Sequence, residues 1–223
     1  MNNSALLVIL AGMCKIGLII GILLGALAAD ADELPLDLCG KPSILTRTQW
    51  GAREPVFKLS PQSVRGLVIH HSGMPQDRTH SFFDHLTSHQ RAAQKPQLLA
   101  GGKMRQAWGD LPYHFIINWD GQIAEGREVK YAGDTNTHYD PANRILIDVE
   151  GNFEEIEPSP AQLQSLTKLT AYLTHRYQYS TRLITGHRDE TTGTVCPGKN
   201  LYELIPEVIL NAERLCPSLV ELK

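Results

Sequence analysis

Two histidines and a cysteine form the pattern in this sequence best suited to chemistry. His70 closes a short apolar run, His187 follows another, and Cys196 lies in the loop that comes next. Imidazole nitrogen and thiolate sulfur both bind zinc, and three protein ligands with water in the fourth position describe a catalytic zinc site. Spacing alone leaves a blander reading open, in which each histidine at a strand end is simply hydrogen-bonded. Cys196 by itself reads as either a reactive thiol or a metal ligand. His85 and His89 stand at i, i+4, which is also ligand spacing. No glutamate follows His85 and its neighbours are polar, so the pair predicts a solvated helix face. His71 adjoins His70, but successive strand side chains point to opposite faces, so only one of them faces a shared site. His114, His138 and His175 have no partner pattern.

These residues need elements to bring them together. Residues 66–70 are short, apolar and β-branched, and predict a buried strand ending in His70. Residues 79–93 have helical composition and stop before Lys95-Pro96, and the glycine-containing stretch 97–110 reads as a loop. Residues 113–118 predict a strand, Asp120-Gly121 a tight turn and residues 122–125 the hairpin partner. Residues 145–150 predict a third strong strand, with Asp148 and Glu150 on one face. Ser159, Pro160 and Gln162 give an N-cap, a first-turn proline and a capping box. Leu163, Leu166, Leu169, Leu173 and Tyr177 continue as an apolar helical stripe. Residues 183–185 form a short strand feeding Gly186-His187, and residues 201–215 a last helix around Pro206. Strands separated by helices predict an α/β fold, a single layered domain whose central mixed β-sheet is flanked by helices. Its zinc site would lie in a surface groove at the strand ends.

Composition limits the function. The 223 residues, 42% hydrophobic and 20% charged, suit one domain, and there is no internal repeat. Lys+Arg 21 against Asp+Glu 24, a net charge of −3, argues against nucleic acid as the main partner. Between Ala5 and Ala29 the only charge is Lys15. The run ends in small residues and turns acidic at Asp30, so residues 1–29 predict a secretory signal peptide. The alternative is an uncleaved membrane anchor, because residues 5–29 are long enough to span. Both place the rest of the chain outside the cytoplasm, periplasmic or secreted, with membrane contact only through this segment. In an oxidising compartment Cys39 and Cys216 predict a disulfide tying the two ends together, which leaves Cys196 as the odd cysteine. The expected organisation is an extension over 30–43, a domain over 44–216 and a tail over 217–223.

Several motifs resemble a known superfamily. Arg47-Thr48-Gln49-Trp50-Gly51-Ala52-Arg53 resembles the opening segment of peptidoglycan recognition proteins. Val68-Ile69-His70-His71-Ser72, Tyr113-His114-Phe115-Ile116-Ile117, Asp120-Gly121, Glu125-Gly126-Arg127, Gly186-His187-Arg188-Asp189 and Thr194-Val195-Cys196-Pro197-Gly198 follow in order. They are similar to the signature of the zinc N-acetylmuramoyl-L-alanine amidases, phage lysozyme-type enzymes included. Pro160 to Leu166 fits as well, so the resemblance spans about residues 44–215.

The resemblance implies cleavage of the amide between N-acetylmuramic acid and L-alanine in peptidoglycan, by a monomer acting on polymer or muropeptide. It implies Zn2+ held by His70, His187 and Cys196. Tyr113 matches the superfamily's active-site tyrosine. Thr194 matches a position that is lysine in phage-type enzymes and threonine in many recognition-protein amidases. Asp148 stands where some bacterial relatives place a catalytic glutamate, the bland alternative for it and Glu150 being a solvated strand edge. Tyr113, assisted by Thr194, is expected at the oxyanion and Asp148 as proton carrier. The sequence departs from the pattern around residues 94–102, and at Asp134 to His138, where the superfamily often has Ala-His after the glycine. The competing function is a non-catalytic peptidoglycan-binding module on the same fold, which would have no need of a complete His, His, Cys set.

Overall fold

Two unbroken apolar runs set the architecture. Strands β2 (Gly66–His71) and β7 (Arg144–Val149) are buried along nearly their whole length, as strands covered on both faces must be. They pair in parallel register, Leu67 opposite Ile145 and His70 opposite Asp148. The computed structural model describes residues 39–99 and 101–222. The segment read as signal peptide or anchor, and residues 30–38 of the extension, lie outside the described residues. Among the described residues no helix is long and apolar enough to cross a membrane.

The remaining strands build outward from this pair. Strand β5 (Phe115–Ile117) runs parallel to β7, and β6 (Ile123–Glu125) pairs antiparallel with β5 through the Asp120-Gly121 turn. Strand β1 (Ile44–Leu45) lies parallel to β6, while β8 (Ile184–Gly186) lies parallel to β2. The order is therefore β1-β6-β5-β7-β2-β8, a mixed six-stranded sheet. Stretch 97–110, expected as loop, contains a small separate hairpin of β3 (Gln97–Leu98) and β4 (Met104–Arg105). Two-residue strands carry too little periodicity to be read from sequence.

Alternation assigns each face of the sheet. Leu67, Ile69, Ile145, Ile147, Phe115 and Ile117 face α3 (Pro160–Tyr177) and α5 (Lys199–Leu215) in the main core. Fully burying each such side chain contributes about 1.5–3 kcal/mol. Helix α3 starts with the expected capping box, Ser159 accepting from the Gln162 backbone N–H and Gln162 returning to Ser159. The opposite face carries Ile116, Asp148 and His70 in one row. It is covered in part by α2 (Phe82–Ala93) and by α1 (Arg47–Trp50), whose Trp50 packs with Leu86, Leu111 and Ile116. Cys39 and Cys216 form a disulfide, packed with Ala171, Ala212 and Leu219 in the helical layer. Within the tail, Pro217–Leu222 form a 3-10 helix.

Candidate metal centre and its cleft

Register brings the two histidines together. Gly186 pairs with Ile69, so one step further along both strands His187 meets His70, with ring centroids 4.5 Å apart. Short helix α4 (His187–Glu190) then turns the chain outward, and the following loop returns Cys196 to the same point. Three contacts hold that return. The Arg188 N–H donates to the Cys196 carbonyl at 2.8 Å, its guanidinium donates to Val195 O at 2.7 Å, and the His71 N–H donates to Cys196 Sγ at 3.3 Å. Gly198 lets the loop approach the Phe153–Glu154 backbone. Its φ is +85°, and a Cβ there would lie 2.5 Å from the Phe153 carbonyl carbon.

Among the described residues, His70, His187 and Cys196 form one of two groups able to hold a metal, their ligand atoms all within 4.8 Å of one another. All three are buried. Cys196 Sγ is 3.7 Å from His70 Nδ1. A tetrahedral zinc with bonds of ~2.0–2.1 Å to nitrogen and ~2.3 Å to sulfur separates such a pair by about 3.6 Å. His187 Nδ1 is buried without a hydrogen-bond partner, as a nitrogen reserved for a metal would be. The donor set therefore fits zinc. Burial, reinforced by His187, pushes the His70 imidazole well below its usual range, and burial takes His187 down to about 4. Both rings are thus neutral at pH 7, the form a ligand needs. Burial pushes the Cys196 thiol up to about 12, which only a cation beside it would reverse.

The far nitrogens of both rings are engaged. The Thr137 hydroxyl lies 2.7 Å from His187 Nε2, and the Tyr139 hydroxyl 3.3 Å from His70 Nε2. Partners of this kind fix the tautomer and orientation of a ligand ring. Sequence reasoning missed both residues. Thr137 lies in the segment that departs from the superfamily, which was the one signal available, and Tyr139 comes just after it. His71 takes the other face, its Nδ1 accepting from the Phe153 N–H at 3.2 Å. His114 is a satisfied core residue, its Nδ1 accepting from the Leu146 N–H and its Nε2 donating to Tyr131 O, both at 2.8 Å.

A cleft of about 220 Å³ opens over the cluster, lined by Trp108, Tyr113, Thr135, Asn136 and Thr194 among others. The Tyr113 ring is 5.2 Å from His70. Burial and then the Asp148 carboxyl push its hydroxyl well above its usual range, so it stays a proton donor. The Thr194 oxygen accepts from the Cys196 N–H at 3.2 Å, which leaves the hydroxyl hydrogen free. Asp148 lies behind this lining, on the strand beside His70, and neither of its buried oxygens has a hydrogen-bond partner. Burial, with Glu150 adding to it, pushes its carboxyl well above the usual range, and burial takes Glu150 up to about 7.

Two expectations are corrected. The solvated-edge alternative for Asp148 and Glu150 fails because β7 is an interior strand between β5 and β2. The solvated face expected for His85 and His89 instead turns toward the site. His85 packs on Trp119 at 5.4 Å and approaches Glu150 at 3.4 Å, and His89 meets Tyr113 edge-on at 5.9 Å.

A mixed α/β sheet that gathers two imidazoles and a carboxyl at the carboxyl ends of parallel strands, with a cysteine brought beside them by a loop, places this chain among α/β proteins with a candidate site at strand ends. Comparison with known families is more specific. The family described as N-acetylmuramoyl-L-alanine amidase matches residues 60–199, and the chain belongs to that family. It is 31% identical to peptidoglycan recognition protein 1 of Bos taurus, over 76% of this chain and 84% of that one. Among solved structures it resembles the endolysin N-acetylmuramoyl-L-alanine amidase LysCS from Clostridium intestinale (26% identity, TM-score 0.55, 76% of this chain and 96% of that one). It also resembles a tyrosine-to-phenylalanine mutant of Drosophila PGRP-LB in complex with tracheal cytotoxin (25% identity, TM-score 0.58, 73% and 92%).

Proposed function

We propose that this chain is a zinc-dependent N-acetylmuramoyl-L-alanine amidase that cleaves the bond between N-acetylmuramic acid and L-alanine in peptidoglycan or its fragments. The observation that carries the reading is the complete His70, His187 and Cys196 set, with His187 Nδ1 unpartnered and the Asp148 carboxyl alongside. A relative's complex with tracheal cytotoxin, a muropeptide, supports the ligand class.

His70, His187 and Cys196 hold the zinc, which when bound supplies Lewis-acid polarisation of the amide carbonyl and acidifies water. Thr137 and Tyr139 hold the two imidazoles in orientation. Water adds to the amide carbon, and the Tyr113 hydroxyl, with Thr194, donates to the oxygen that gains charge. The C–N bond then breaks as its nitrogen takes the proton of the Asp148 carboxyl, and Asp148 recovers a proton from the oxygen that water added, so the carboxyl ends as it began. The products are a lactyl carboxylate on the glycan and a free L-alanine amine on the peptide. The amidase domain occupies residues 44–216 and acts as a monomer, exported by residues 1–29 or held at a membrane by them.

Mass spectrometry of purified peptidoglycan incubated with the zinc-loaded chain tests this. Stem peptides with a free L-alanine amino terminus and intact glycan are expected, and they should be lost with the zinc in Cys196→Ser. No new amino terminus, with wall binding intact, would make the chain a recognition module instead.

A further inference from the structure

We propose that Asp77, His80 and His85 form a second divalent transition-metal site, built from different residues than the His70, His187 and Cys196 cluster and suited to Zn2+ or Co2+. Their ligand atoms lie within 4.8 Å of one another. Asp77 Oδ2 is 2.6 Å from His80 Nδ1 and 3.9 Å from His85 Nε2. Tetrahedral zinc with bonds of ~2.0–2.2 Å separates such atoms by about 3.4 Å, so both Asp77 pairs come within ~1 Å of that spacing.

Two of the three ligands, Asp77 and His85, are held in place for the role, and His80 Nδ1 exchanges its hydrogen bond to Asp77 for the ion when one binds. The Asp77 carboxylate accepts from the Thr79 N–H at 2.8 Å and the Thr79 hydroxyl at 2.6 Å through Oδ1, which aims Oδ2 at the histidines. These bonds hold its carboxyl well below the usual range, so it is ionised. His85 is held from behind, its Nδ1 3.4 Å from Glu150 Oε1. A carboxylate behind the free nitrogen is the arrangement that orients metal-binding imidazoles, leaving Nε2 to the ion. Two imidazoles and one carboxylate favour late first-row metals over magnesium or calcium, which prefer all-oxygen sites. A helix start disfavours cations, but Asp77, Asp84 and Glu150 place three carboxyl groups around this one. Occupied, the site ties residues 77–81 to the first turn of α2 and, through Glu150, to the strand that carries Asp148.

The test is metal titration of the chelator-stripped full chain, first with Co2+ followed spectroscopically, then with Zn2+ followed by metal analysis after dialysis. Two phases are expected, one with thiolate-to-cobalt absorption and one without. His80→Ala and Asp77→Asn, both at exposed positions, should each weaken the second phase at least tenfold and leave the first unchanged. Cys196→Ser should do the reverse, and His175→Ala should alter neither. The two clusters are read by different variants, so failure of one leaves the other standing. A single phase in the wild type, or a second phase unmoved by both His80→Ala and Asp77→Asn, overturns the proposal.

Discussion

Replacing Asp148 with asparagine should make the protein more stable and much less active. In the unfolded chain this carboxyl titrates near its ordinary 3.8 and is ionised at pH 7. In the folded chain burial, with Glu150 behind it, pushes the carboxyl well above that value, so folding takes up a proton. The folded value is the raised one, and the penalty is therefore absent below about pH 3.8. Above that it grows by ~1.36 kcal/mol per pH unit until the folded group itself ionises. At pH 7 the ceiling is (7 − 3.8) × 1.36, about 4 kcal/mol, and local relaxation and water bring a realistic value to about 1–3 kcal/mol. Asparagine has no proton to take up. Asp148→Asn should thus melt roughly 2–10 °C higher at pH 7 for a domain of this size, with the gap closing toward pH 4. Its turnover should fall by ~10² or more at unchanged zinc content. Melts of chelated wild type and variant at pH 4, 5.5 and 7, beside turnover of the zinc-loaded pair, measure both effects. A variant less stable at pH 7, with a gap that does not grow with pH, would mean a partnered, ionised carboxylate and refute the reasoning.

Tyr113→Phe should keep about one zinc at the His70, His187 and Cys196 cluster and bind substrate normally while losing roughly 10² in the chemical step; single-turnover kinetics with metal analysis would expose an effect on binding instead. Cys39→Ser with Cys216→Ser opens a closure spanning 177 positions, for which chain entropy gives a loss of about 5 kcal/mol and common experience 2–5. Denaturant unfolding showing less than ~1 kcal/mol would contradict that. Gly198→Ala forces a side chain into left-handed backbone and onto Phe153, and should cost on the order of 2 kcal/mol or more. It should also weaken zinc binding by displacing the Cys196 loop, which competition with a chromogenic chelator would read.

Local pattern carried much of the fold into view. The apolar runs of β2 and β7, the Ser159 capping box and the leucine stripe of α3 are all signals within a few residues of one another. The split between His70 and His71 followed from strand alternation alone. Strand order is not local, and so Asp148 could be read as an edge residue although β5 covers its outer side. Thr137 and Tyr139 reach the two histidines from an irregular segment, whose path depends on tertiary contacts and not on periodicity. His85 shows the same limit: spacing paired it with His89 along α2, whereas the loop before the helix gave it His80 and Asp77.

The disulfide joins residues 39 and 216 at a Cα separation of 5.0 Å, in the helical layer on the sheet face away from His70. Mechanically the domain is a closed ring with one clasp. Tension applied between the chain before Cys39 and the chain after Cys216 runs through a covalent bond and bypasses the sheet, so pulling does not peel β1 or α5 from the core. The clasp packs with Ala171 of α3 and Ala212 of α5, so that force path stays within the helical layer and off the strands that carry His70 and Asp148.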